Sequence, residues 1–283
     1  MIFTLIEIAI IILFALFYIF FKTKRKMLIY SLIFSAIFEL LGVLSNGYTY
    51  NFNFSFSIFN VPLFIILSWS IIIVTSYTLV SKITNHRLTK AFICALSVIS
   101  VDLVFEASSV ALGLWKWNTF SNTLYANINP FNFIGWLLVS FLFIYFYEKK
   151  PIYSIILGIP VYMLIGVFYF GLSMISIIKN TNPYLTLVII YLIFIIFSIT
   201  LYVKHRIHER NKLNLKELVE IWLFRLPFFL FGIIACIIVG DYSYPFVLLI
   251  MFIGLVQEMI IYVLIIEDKK ITRILKRKGK RRN

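Results

Sequence analysis

Residues 2–26 read IFTLIEIAIIILFALFYIFFKTKRK, about twenty almost uninterrupted apolar residues closed by Lys22, Lys24, Arg25 and Lys26. A helix of that length crosses a hydrocarbon layer roughly 30 Å thick, and lipid leaves the backbone no other way to satisfy its hydrogen bonds. The basic residues follow the apolar stretch instead of preceding it, and no small-residue cleavage site appears, so the segment reads as a retained span rather than a signal peptide. The same pattern recurs along the chain, with apolar stretches at roughly 2–21, 27–45, 58–80, 91–114, 131–148, 152–178, 184–203, 218–239 and 246–266. The expected fold is an all-α, polytopic transmembrane bundle of about nine spans. The count is eight if one of the short segments, 27–45 or 131–148, or the one entered through Glu217, Glu220 and Arg225, does not cross; Leu213 to Glu220 also reads as an interfacial lead-in.

Composition agrees. Of 283 residues, 62% are hydrophobic and 13% charged, more apolar surface than one water-soluble core can hide. Lys and Arg are retained in cytoplasmic loops. The loops holding Lys82, Arg87 and Lys90, Lys149 and Lys150, and Lys204, Arg206, Arg210 and Lys212 alternate with nearly uncharged ones. Nine spans then place the N-terminus outside and the C-terminus in the cytoplasm. The expected division is one membrane domain over residues 1–268 and a basic cytoplasmic tail over 269–283, with Lys269, Lys270, Arg273, Lys276, Arg277, Lys278, Lys280, Arg281 and Arg282. The net charge of +14 is therefore topological and excludes a folded nucleic-acid surface, while the tail suits anionic lipid headgroups. Ile-, Phe-, Asn- and Lys-rich usage points to a prokaryotic cell membrane.

No internal repeat or matched pair of broken spans appears, which weakens a transporter reading. Cys94 and Cys236 fall inside spans and read as buried thiols. His86, His205 and His208 fall in basic loops, leaving no intramembrane histidine cluster for a metal.

The informative residues are the acids inside the membrane, where an ionisable side chain costs a few kcal/mol and requires a reason. Glu7, Glu39, Asp102, Glu106 and Glu258 qualify. Asp102 and Glu106 are spaced i, i+4 and share one helix face. Two carboxylates that close in a low dielectric will not both ionise, so one is expected to keep its proton and to be usable as a general acid. The same spacing also suits structural hydrogen bonds between helices. Aromatic residues flank the pair, in Gly47-Tyr48-Thr49-Tyr50 and in Gly113-Leu114-Trp115-Lys116-Trp117, an arrangement that an interfacial belt also explains. Asn132 and Trp136 repeat the i, i+4 spacing.

Taken together, Glu39-x-x-Gly42 with Gly47-x-x-Tyr50, Val61-Pro62 followed by Trp69, Asp102-x-x-x-Glu106 followed by Gly113-x-Trp115-x-Trp117, and Asn132-x-x-x-Trp136 resemble the carotenoid biosynthesis membrane proteins that include the bisanhydrobacterioruberin and carotenoid 1-hydratase types. The resemblance covers about residues 30–140, with Ala107 where the pattern has proline. It implies addition of water to a terminal isoprenoid C=C of an acyclic carotenoid by protonation from Asp102 or Glu106, with Glu39 as partner. Tyr50, Trp69, Trp115, Trp117, Asn132 and Trp136 would bind the substrate, and ring faces would stabilise a tertiary cation. No cofactor is required. The carotenoid or polyprenyl substrate enters laterally from the bilayer to a site between spans two, four and five. A carotenoid cyclase, in which a neighbouring double bond captures the cation, and a non-catalytic proton-coupled carrier or polyprenyl-lipid binder remain the alternatives.

Overall fold

The computed structural model describes residues 2–118, 127–173, 183–205, 215–240 and 246–279. Arg206, His208, Arg210 and Lys212, the far end of the 152–178 segment, and Lys280, Arg281 and Arg282 lie outside the described residues. The helices are α1 (Ile2–Phe20), α2 (Arg25–Leu44), α3 (Leu63–Val80), α4 (Arg87–Ala111), α5 (Phe131–Lys149), α6 (Tyr153–Ile156), α7 (Gly158–Ser173), α8 (Pro183–His205), α9 (Leu215–Val239) and α10 (Val247–Gly279). Among the described residues, eight helices are long and apolar enough to cross a membrane. The chain is a polytopic helical membrane protein.

The expected span at 152–178 is divided. The chain breaks at Leu157, between α6 and α7. Pro160 is the cause: within a continuous helix its ring would strike the carbonyl of Ile156, the last residue of α6, whereas in the first turn of a new helix it is tolerated. The third span starts at Leu63 rather than near 58, because residues 57–62 form a short hairpin, β2 (Ser57–Ile58) against β3 (Val61–Pro62). The last helix runs through residue 269 without interruption, to Gly279.

Helix α4 is central and packs against α3, α5, α8, α9 and α10. Small residues let its neighbours approach closely, since lipid supplies no hydrophobic drive between helices and packing must do so. A Cβ on Gly232 of α9 would strike the backbone of Val104, and one on Gly254 of α10 would come within 2.6 Å of the Ser100 carbonyl oxygen. Ser108 Oγ donates to the Gly232 carbonyl at 2.7 Å.

Among these helices lies a buried ion pair. Arg225 of α9 and Glu258 of α10 bond in a two-pronged fork, Nε to Oε1 at 2.6 Å and Nη2 to Oε2 at 2.7 Å. The remaining guanidinium donors reach Ser76 Oγ at 2.8 Å, Thr75 Oγ1 at 3.2 Å and the Ser97 carbonyl at 2.7 Å, and Ser100 Oγ donates to Glu258 at 2.7 Å. With every prong occupied, the pair joins α3, α4, α9 and α10 while carrying no net charge into the bundle. Glu7 has a structural use as well. Its carboxylate accepts the backbone N–H groups of Ser55 at 3.0 Å and Phe56 at 2.9 Å, tying α1 to the loop before α3.

A group of basic residues meets where α3, α4, α5 and α8 come together. Lys90 Nζ lies 3.0 Å from Glu148, Arg87 donates to Tyr145 Oη at 2.8 Å, and the rings of His86 and His205 stack with centroids 3.8 Å apart. Burial first, then His205, Lys204 and Arg87, lower the His86 pKa below its usual value.

Candidate active site

Helices α2 and α4 terminate in the same way. Asn46 (φ +56°) and Gly113 (φ +71°) adopt the left-handed conformation just past each helix. Asn46 N–H bonds to Val43 O and Gly47 N–H to Gly42 O; in parallel, Gly113 N–H bonds to Val110 O and Leu114 N–H to Ser109 O. These paired bonds are the Schellman arrangement, which satisfies the last carbonyls of a helix and turns the chain sharply.

Each turn releases a three-residue strand, β1 (Tyr48–Tyr50) and β4 (Trp115–Trp117), and the two pair antiparallel with Tyr48 opposite Trp117 and Tyr50 opposite Trp115. Side chains alternate along a strand, so all four aromatic residues share one face while Thr49 and Lys116 take the other. Lys116 is exposed on that outer face.

The aromatic face turns to the acids. Tyr48 and Tyr50 each donate from Oη to Oε2 of Glu39 at 2.6 Å. The indole N–H groups of Trp115 and Trp117 donate to Oε1 of Glu106 at 3.0 and 2.9 Å. Gly42 makes the first arrangement possible, because a Cβ there would overlap the Tyr48 phenol. Asp102, one turn before Glu106, is served differently. Asn132 Nδ2 donates to its Oδ2 at 3.1 Å, while its buried Oδ1 has no partner among the described residues.

These groups line a cavity of ≈ 660 Å³, a size suited to a small-molecule site. The nine residues that the resemblance assigns to the site line it, Glu39, Tyr50, Trp69, Asp102, Glu106, Trp115, Trp117, Asn132 and Trp136, whereas the other intramembrane acids, Glu7 and Glu258, do not. Beyond the expected setting of α2, α4 and α5, the expected residue Trp69 stands on α3, Tyr50, Trp115 and Trp117 stand on the ribbon, and α7 adds Tyr162. Trp69 and Trp136 stack with centroids 3.2 Å apart, and Phe38 meets the edges of both Trp136 and Tyr162 at 5.1 Å. Among the described lining residues there is no Lys, Arg or His. The cavity thus offers carboxyl groups and ring faces, a surface suited to positive charge in an apolar guest. No cluster of three or more metal-ligating side chains occurs among the described residues.

Tyr48, Phe38 and Tyr162 are among the lining residues that the sequence does not assign to the site. Tyr48 carried a signal in its i, i+2 spacing from Tyr50, the period of a strand; Tyr162 carried none.

A polytopic helical membrane protein whose intramembrane acids face an aromatic cavity is the class that fold and site define. The chain belongs to the carotenoid biosynthesis protein family, whose family model matches residues 1–196. That match is longer than the stretch at 30–140 that carries the motifs, and it takes in α1 to α7 and part of α8. Comparisons with curated proteins and with solved structures find no match.

Proposed function

We propose that the protein is an intramembrane hydratase that adds water to the terminal isoprenoid double bond of an acyclic carotenoid. The observation that carries this reading is the unequal treatment of the three acids. Glu39 accepts both phenols on Oε2 and Glu106 both indoles on Oε1, whereas Asp102 accepts a single bond and its other oxygen is fully buried without a donor among the described residues. A bare carboxylate oxygen is costly in an apolar cavity, and a proton on it removes the cost.

Asp102 is accordingly the acid. Its proton adds to the less substituted carbon of the terminal C=C, whose π electrons form the new C–H bond and leave a tertiary cation. The faces of Trp69, Trp115, Trp117 and Trp136, with the fixed carboxyl groups of Glu39 and Glu106, stabilise that charge. A water molecule supplies the electron pair for the C–O bond, and its surplus proton returns to the Asp102 carboxylate. The sum is alkene plus water to tertiary alcohol, with the acid restored. Asn132, bonded to Asp102, positions the carboxyl group.

The test is expression in a bacterium engineered to accumulate lycopene and longer acyclic carotenoids, with extracts examined for products heavier by one water. The hydrated product, absent with Asp102→Asn, is the expected outcome. An isomer of unchanged mass would replace hydration by cyclisation, and no product in a host that supplies the substrate would favour a carrier or binder.

A further inference from the structure

We infer that the cavity opens to the bilayer between α2 and α7, and that this portal, with Gly166 at its lip, admits the terminal segment of a long acyclic isoprenoid chain while the remainder stays in lipid. The inference rests on reading the cavity as an isoprenoid site. Helix α2 packs against α3 and α6 but makes little contact with α7, where Gly158 at the start of α7 lies beside Phe34 and, further along, Phe38 meets Tyr162 edge to face. Beyond that pair the cavity lining continues onto Leu44, Met163, Gly166 and Val167. Leu44 is 71% exposed, Val167 69% and Met163 48%, so the same residues face the cavity and the outside of the bundle.

The lip is apolar and stands on α2 and α7, whereas the carboxyl groups of Glu39, Asp102 and Glu106, with the Trp115 indole, are buried. A guest entering this way must be apolar along its length and react at its tip. Gly166 sets the width. A Cβ built there meets nothing within 4 Å, so the space beside it is open and a larger side chain fits without straining the helix.

The tryptophans supply a reporter. Trp69, Trp115, Trp117 and Trp136 all line the cavity, and the fifth, Trp222 on α9, is 40% exposed away from it. In a Trp222→Phe background reconstituted with phospholipid brominated on its acyl chains, the remaining fluorescence reads entry of a lipid chain into the cavity. The expected result is quenching beyond that of the unbrominated bilayer, lost in Gly166→Phe, increased in Met163→Ala, and unchanged in Val188→Phe on the lipid face of α8. Squalene, an acyclic isoprenoid with the same terminal double bond, is expected to relieve the quenching.

Equal quenching with glycine and phenylalanine at 166 would overturn the portal, and failure of squalene to relieve it would overturn the assigned guest. Because the readout needs no turnover, an active enzyme with unaltered quenching removes the portal alone. Quenching controlled by residue 166 in a protein that never adds water removes the hydratase reading alone.

Discussion

Tyr50 stands directly opposite Trp115 across the β1–β4 ribbon, and through that pairing a carboxyl group on α2 and another on α4 are held by one element. Glu39 and Glu106 therefore cannot move apart without breaking either strand pairing or a buried hydrogen bond. The ribbon thus fixes the acid geometry from the ends of α2 and α4, while the stacked Trp69 and Trp136 line the same cavity.

Asp102→Asn is expected to keep the fold and to lower hydration by about 10²- to 10⁴-fold, the usual contribution of a positioned general acid. Glu106→Gln, which still offers an oxygen to both indoles, should fall less. Product yield per mole of folded protein, with folding followed by size-exclusion profile, separates the two; full activity in Asp102→Asn would sink the assigned role.

Gly42→Ala drives a methyl group into the Tyr48 phenol and should cost about 1–3 kcal/mol as overpacking. Tyr48→Leu in the same chain removes the obstructing ring, so the double variant should regain thermal stability while losing one hydrogen bond to Glu39. Thermal unfolding in detergent reads the first effect and product formation the second. An unaltered melting point in Gly42→Ala would show that the contact is slack.

Among the described residues, Arg225→Met leaves Glu258 buried with only Ser100 Oγ to serve it, and a cost of about 3–5 kcal/mol is expected. Replacing both partners by Met should recover most of that loss, since no uncompensated charge remains. The comparison of the three melting curves decides it; a double variant no better than the single one would mean that Arg225 contributes through its Ser76, Thr75 and Ser97 contacts instead.

The phenols of Tyr48 and Tyr50, which lie outside the spans, are pushed well above the ordinary tyrosine range, first by burial and then by the Glu39 carboxyl group. A group whose folded value is raised contributes stability that is complete below its unfolded value, about 10, and that is lost as pH climbs through the folded value. Ultraviolet titration of tyrosinate should therefore give coincident curves near pH 10 for the native chain and the Tyr48→Phe, Tyr50→Phe double variant. An excess of tyrosinate in the native chain at that pH would contradict the buried, donated state of both phenols.

Hydropathy made the helices legible because twenty apolar residues admit few other structures in lipid. The acids were legible for the complementary reason, their cost. What escaped was whatever depends on pairing between distant residues. Tyr48-x-Tyr50 and Trp115-x-Trp117 each alternate with the period of a strand, yet three residues are too few to distinguish a strand from a belt of interfacial aromatics. Glu258 reads as an intramembrane acid and Arg225 as a polar residue of the neighbouring span, but nothing in their spacing announces that they meet. The break at Leu157 had a visible sign, Gly158-Ile159-Pro160, inside a stretch whose hydropathy is otherwise continuous.

The Arg225–Glu258 fork also bears on biogenesis. A lone Arg or Asp at the centre of a spanning helix costs about 2.5–3.5 kcal/mol at the translocon, and α9 by itself would present such a charge to lipid. Joined to α10 it presents none. Partitioning of the last two helices as a hairpin is thus favoured over release one at a time: a ribosome-stalled chain ending between them should remain at the insertion machinery, and one stalled beyond Glu258 should be released.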